Sequence, residues 1–199
     1  MENDILNTFS KRRSFYNINN KIEHSDTEIE ELINNCLDLY PSSFNSQDAR
    51  LVLLMGEHHK YFWEVVKEEL FKVSEEEKWA QIEQKIASFC SGYGTILFFI
   101  DPKIAQNLAQ NYPIYAPQFP IWAEHGNAML QFMIWTALAQ KNIGASLQHY
   151  NPLIDDVIKQ KFEIPSDWKF IAQMPFGGIV EMKNPHEIKK TSDRLVVRP

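Results

Sequence analysis

Apolar residues fall along the chain in three patterns. Spacings of three and four residues mark helices. Ile5, Leu6 and Phe9 share one face over 3–11. Ile29, Leu32, Ile33, Cys36, Leu37 and Tyr40 mark a second helix, opened by Ser25 and Glu28 as a capping box and stopped by Pro41. Amphipathic stretches over 60–73 and 75–89 predict two more, with Ser74 capping the second and Glu77 at its N3 position. Asp101-Pro102 opens a short helix and 152–162 forms another. Continuous or alternating apolar runs predict strands: Ala49–Met55, then Gly94–Ile100, whose unbroken run implies burial on both faces, then 168–174. Residues 176–180 continue this third strand with Gly177 and Gly178, which point to a bulge or a close ligand approach. The third pattern organises the rest. From Gly126 to Ala139 nearly every residue is apolar, predicting a helix buried on most sides. A proline-rich loop over 112–120 precedes it. Asn142-Ile143-Gly144 reads as its C-cap, with Gly144 in the left-handed turn. An extended piece rich in hydrogen-bonding groups follows, Ala145-Ser146-Leu147-Gln148-His149-Tyr150-Asn151-Pro152.

Composition narrows the classes. With 199 residues, 44% hydrophobic and 23% charged, the chain has enough material for a full core. A formal net charge of -6 argues against nucleic acid or an anionic membrane as partner. Glu124, His125, Gln131 and Gln140 interrupt the apolar helix too often for a span of roughly 20 apolar residues. The N-terminal MENDILNTFSKRRS lacks the apolar core of a signal peptide. Cys36 and Cys90 have no metal-ligand spacing, which fits buried thiols and a cytoplasmic home. Aromatic residues make up 13%, enough for a large interface or a planar ligand as well as a core. No internal repeat or linker divides the chain, which reads as one domain over 1–199.

Three segments carry candidate chemistry. Lys11-Arg12-Arg13-Ser14 offers guanidinium forks and a hydroxyl for an anion, although on these residues alone a solvated basic patch at a helix end is the better account. The loop Pro41-Ser42-Ser43-Phe44-Asn45-Ser46-Gln47 could meet the polar edge of a heterocycle or simply turn the chain. The segment 143–152 follows the apolar helix into the core. His58 and His59 are adjacent, point apart and have no third ligand nearby. The apolar Leu195-Val196-Val197 near the chain end needs burial, for which a partner subunit is one place.

The ordered set of Arg12-Arg13-Ser14, PSSFNSQ at 41–47 and IGASLQHYNP at 143–152 resembles the nitroreductase family of FMN-dependent NAD(P)H oxidoreductases. Trp122-Ala123-Glu124-His125 together with Leu147–Pro152 is similar to the subgroup of fatty-acid-repression-mutant-like and copper-induced proteins, which suggests a stress response. The resemblance implies an α+β fold with a mixed, mostly antiparallel sheet flanked by helices. It also implies an intertwined homodimer, with the central helix at the interface and the C-terminal tail crossing onto the partner.

Site roles follow from the same resemblance. Arg12, Arg13 and Ser14 correspond to the phosphate and ribityl grip. Ser42, Ser43, Asn45 and Gln47 correspond to a loop that the partner subunit lays against the flavin. Leu147, Gln148 and His149 line the N5/O4 side of the ring. Lys190 and Arg194 approach the phosphate. Tyr16 stands where many relatives carry a basic residue, and Lys85 is the candidate for a lysine near flavin N1. The implied activity is ping-pong hydride transfer from NADH or NADPH through FMN to a small nitroaromatic or quinone-type acceptor, without a catalytic dyad. A flavin-storing or regulatory homodimer is the alternative. A purely structural dimer is the third reading.

Overall fold

The computed structural model describes residues 4–182 and 194–198. Its elements, in chain order, are α1 (Asp4–Lys11), β1 (Ile18–Asn19), α2 (Asp26–Leu39), β2 (Ala49–Met55), α3 (Gly56–Val73) and α4 (Glu76–Cys90). There follow β3 (Gly94–Ile100), α5 (Pro102–Asn111), α6 (Phe119–Gln140), β4 (Ile143–Ala145), α7 (Asp155–Lys161) and β5 (Lys169–Ile179). This is the expected α+β fold. Ser25 caps α2 as predicted: its Oγ accepts from Glu28 N, and the Glu28 carboxylate accepts from Ser25 N at 2.8 Å. Asp101 caps α5 with Pro102 in its first turn.

The strands form a sheet of order β1-β5-β3-β2, with β4 also on β5, and every ladder is antiparallel. The one parallel pairing among the described residues is an isolated bridge, Ser14 to Ala145. Side chains of β3 alternate between two cores. Ile96 and Phe98 join α2 and α6 on one face, while Leu97 and Phe99 join α3, α4 and α7 on the other. All seven β3 residues are buried, as the unbroken run implied. A bulge in β5 opposite Phe98 and Phe99 leaves Ile171 without a direct partner and turns Phe170 to the second face. There it stacks on Phe99, ring centroids 4.4 Å apart at 16°.

Several local expectations are corrected. Ser74 ends α3, its Oγ donating to Leu70 O at 2.6 Å, and Glu75 takes the N-cap of α4. Asn142, at φ 58°, makes the left-handed turn after α6, while Gly144 lies in β4. A side chain on Gly144 would meet Phe15 and Ile179. Gly177 and Gly178 admit backbone, not ligand: a Cβ on either would lie within 2.2 Å of the Asn19 or Lys21 carbonyl oxygen. Strands β1 and β4 are too short to show a period in sequence. The proline-rich stretch turns once at Pro113–Tyr115, and α6 already begins at Phe119. α7 is shorter than 152–162, preceded by a turn.

α6 runs across the first core. Leu130, Ile134 and Leu138 are fully buried, and Asn127 Nδ2 donates to Phe99 O at 3.0 Å. One flank stays open: Ile121, Met129 and Phe132 are exposed. Among the described residues no helix is long and apolar enough to cross a membrane.

Candidate functional site

Two of the three segments meet at one corner of the sheet. After α1 the chain turns along β4, and Phe15 N donates to Ala145 O at 3.0 Å. Trp135 Nε1, from α6, donates to the same oxygen at 3.2 Å. The Trp135 ring in turn carries Arg12, whose guanidinium carbon stands 4.4 Å from the ring centroid. Burial and the adjacent Arg13 both lower the Arg12 pKa, so two cations crowd a half-buried position. Ser14 is half-buried beside them, in its bridge with Ala145.

Residues 146–151 continue along β5 from this corner. Ser146 N donates to Pro175 O and Gln148 N to Gln173 O, at 3.3 and 2.7 Å. Successive backbone groups alternate in an extended chain, so the N–H groups of Leu147 and His149 point away from β5. Gln148 is buried, with Nε2 donating to Ser146 Oγ, and His149 is exposed. Gln173 holds the segment in place. Its Oε1 accepts from Tyr150 N at 2.9 Å, and its Nε2 donates to Asn151 Oδ1 at 2.7 Å.

Tyr16 and Tyr150 extend the corner to α4. Lys85 Nζ lies 5.8 and 5.9 Å from their ring centroids, and burial lowers its pKa. Lys85 therefore borders the same corner. Burial also raises the Tyr150 hydroxyl, and Ser88 Oγ donates to Tyr16 O.

The loop at 41–47 is not brought to this corner within the chain. It packs near Gly126, where an added Cβ would lie 3.7 Å from Ser42 Cβ. Gly126 and Trp135 are nine helical residues apart, roughly 14 Å along α6. Ser42 Oγ accepts from Gln47 N at 3.0 Å, and Ser46 N donates to Ser43 O at 3.1 Å. Asn45 and Gln47 are exposed, while Ser42 and Ser43 are half-buried. Arg194 is exposed, and Lys190 lies outside the described residues. Leu195, Val196 and Val197 are 60–80% exposed, so their own chain does not cover them.

Sequence reasoning passed over several contributors. Trp135 reads as one more core aromatic. Gln173 had a signal, a lone amide in the apolar run FIAQM. His59, weighed in sequence only as a poor metal-ligand candidate, is a buried structural residue of α3, its Nδ1 2.8 Å from Thr95 Oγ1 and its Nε2 3.2 Å from Cys90 O. A carbonyl only accepts, so Nε2 carries the proton and Nδ1 accepts from the threonine. Trp63 Nε1 donates to the same Thr95 oxygen.

The Nitroreductase family model covers residues 9–178, a span that holds all three segments. The Saccharomyces cerevisiae proteins HBN1 and FRM2, the latter a nitroreductase, are 31% and 28% identical over 174 residues, 86% of each chain. The nitroreductase CinD of Lactococcus lactis, solved in complex with chloramphenicol, is 33% identical at a TM-score of 0.89 over 98% of this chain and 100% of its own. The same protein has been solved with 4-nitrophenol at a TM-score of 0.88. A nitroreductase with bound FMN from Desulfitobacterium hafniense shares the fold at 17% identity and a TM-score of 0.73, over the full length of both chains. Fold and matched span agree: the chain belongs to the nitroreductase family.

Proposed function

We propose that the protein is an FMN-dependent NAD(P)H oxidoreductase, one domain per chain, working as a cytoplasmic homodimer with two shared sites. The observation that carries this reading is the corner at Arg12, Arg13 and Ser14. Burial and the neighbouring Arg13 disfavour the charge on Arg12, which Trp135 holds in place, and a bound phosphate would relieve that cost. Arg12 and Arg13 would hold the phosphate and Ser14 a ribityl hydroxyl. The outward N–H groups at Leu147 and His149 would meet the ring's polar edge, with Gln148 fixing their position. Lys85 would face the ring from α4, while Lys190 and Arg194 would add charge at the phosphate. The chemistry that FMN supplies when bound is acceptance of hydride from NADH or NADPH and its delivery to a nitroaromatic or quinone-type acceptor, in ping-pong order. That CinD binds chloramphenicol and 4-nitrophenol supports this acceptor class.

Ser42, Ser43, Asn45 and Gln47 would serve the partner's site. Their separation from Arg12 within one chain supports that reading, as does the open flank of α6. Ile5, Phe9, Met129, Phe132 and Met133 line an apolar groove of about 760 Å³ there, suited to a second copy. Sedimentation is expected to show a dimer at micromolar concentration. A stable folded monomer under those conditions would refute the shared site.

The decisive experiment is anaerobic addition of NAD(P)H to the purified, FMN-loaded protein. Bleaching of the flavin absorbance, restored by a nitroaromatic or quinone, is expected. Bound flavin that NAD(P)H does not bleach would favour the storage or regulatory reading, and absence of flavin binding would remove both.

A further inference from the structure

The loop that follows Ser42 is held in a conformation its residues do not favour. Phe44 has φ 57° and ψ 23°, and Asn45 and Gln47 follow at φ 51° and 49°. Asparagine tolerates the left-handed region, but phenylalanine and glutamine seldom enter it. Such backbone persists only where its surroundings over-determine it. The base of the loop has polar ties. Ser46 Oγ donates to Asp48 Oδ2 at 3.0 Å, and Arg50 Nη1 donates to Gln47 O at 2.9 Å. Asp48 itself is buried.

The tip is held differently. The Phe44 ring enters a bracket of aromatic side chains from the turn before α6 and its first turn. Centroid distances are 4.9 Å to Tyr112 and 5.3 Å to Phe119, the latter edge-on at 71°. Trp122 lies nearly parallel at 6.2 Å and 18°. Yet Phe44 remains 48% exposed. A half-exposed aromatic ring on left-handed backbone gains little for the fold.

We propose that Phe44 is a positioning residue: its ring, seated against Tyr112, Phe119 and Trp122, keeps the 42–47 loop in the left-handed form that presents Ser42, Ser43 and Asn45 to the cofactor. This inference rests on the reading of a shared FMN site given above. It separates the role of Phe44 from direct contact, because the ring packs against aromatic side chains of its own chain while Asn45 beside it is exposed.

The test measures FMN affinity of the apo-protein by fluorescence titration for wild type, Phe44→Ala, Phe44→Leu and Phe44→Tyr. The alanine and leucine variants are expected to bind FMN about tenfold more weakly, the scale of one lost aromatic pairing. The tyrosine variant should bind as wild type does. The thermal midpoint of the apo-protein should stay unchanged in the leucine variant, which retains apolar bulk at this half-exposed position. Flavin fluorescence in the loaded leucine variant should rise as the loop loosens over the ring. Equal FMN affinity in wild type and both truncated variants would overturn the proposal. So would a loss of affinity matched by a loss of apo-protein stability in the leucine variant, which would make the ring merely structural. An unchanged FMN affinity with a raised KM for an aromatic acceptor would overturn it too, assigning Phe44 to the acceptor instead. Failure of the wild type to bind FMN would strike the shared-site reading itself, and is seen separately.

Discussion

Replacing Arg12 and Arg13 together by alanine is expected to empty the protein of FMN. Each hydrogen bond from a charged group contributes about 1.5–3 kcal/mol. Losing two removes about 3–6 kcal/mol, on the order of a hundredfold to ten-thousandfold in Kd. Arg12→Lys should fall between, because a lysine keeps the charge but loses both the planar fork and the stacking on Trp135. The partition of the site between subunits gives a sharper form of the experiment. In a heterodimer of Arg12→Ala/Arg13→Ala and Asn45→Ala protomers, one site would carry every lesion and the other none. FMN content of about half the wild-type value is expected even if both parent homodimers are nearly empty. Full FMN retention by the double variant after gel filtration would refute the phosphate grip. Verified heterodimers with no flavin would place the loop in its own chain's site.

The second large effect concerns acid. His59 is locked as a neutral ring between Thr95 and the Cys90 carbonyl, and burial pushes its pKa down to about 4. The neighbouring Lys60 pushes in the same direction. In the unfolded chain the value returns to about 6.5. Between these values the unfolded state binds a proton that the folded state refuses, so stability falls as pH falls from about 6.5 to about 4. The full stability is present above that window, and the loss across it is about 3 kcal/mol. His59→Gln should be less stable at pH 7, since an amide does not reproduce both contacts, but it should lack this part of the acid slope. Denaturant unfolding at pH 7, 5.5 and 4, at fixed protein concentration, tests the difference. Parallel pH profiles for the two proteins would show that His59 does not set the acid response.

What sequence alone can show divides along physical lines. The capping box at Ser25 and the unbroken run of β3 were readable because a few adjacent residues decide them. β1 and β4 were hidden because two or three residues carry no period. The turn after α6 was placed on Gly144 because glycine is the usual left-handed residue, whereas Asn142 takes that role and Gly144 makes room for Phe15. At the candidate site, motif order supplied the residues but not their supports. Nothing local to Arg12 announces Trp135, and nothing about Phe44 announces positive φ. Both depend on what α6 brings alongside.

The carbonyl of Ala145 takes hydrogen bonds from Phe15 and Trp135, segments separated by most of the chain. The corner that presents Arg12 and Ser14 thus cannot exist until α6 and β4 have docked on β5. Contacts closing such long loops form late and slowly. During synthesis the arginines leave the ribosome early and wait for their platform. Capture of an anionic ligand at this corner would therefore follow, rather than guide, assembly of the sheet.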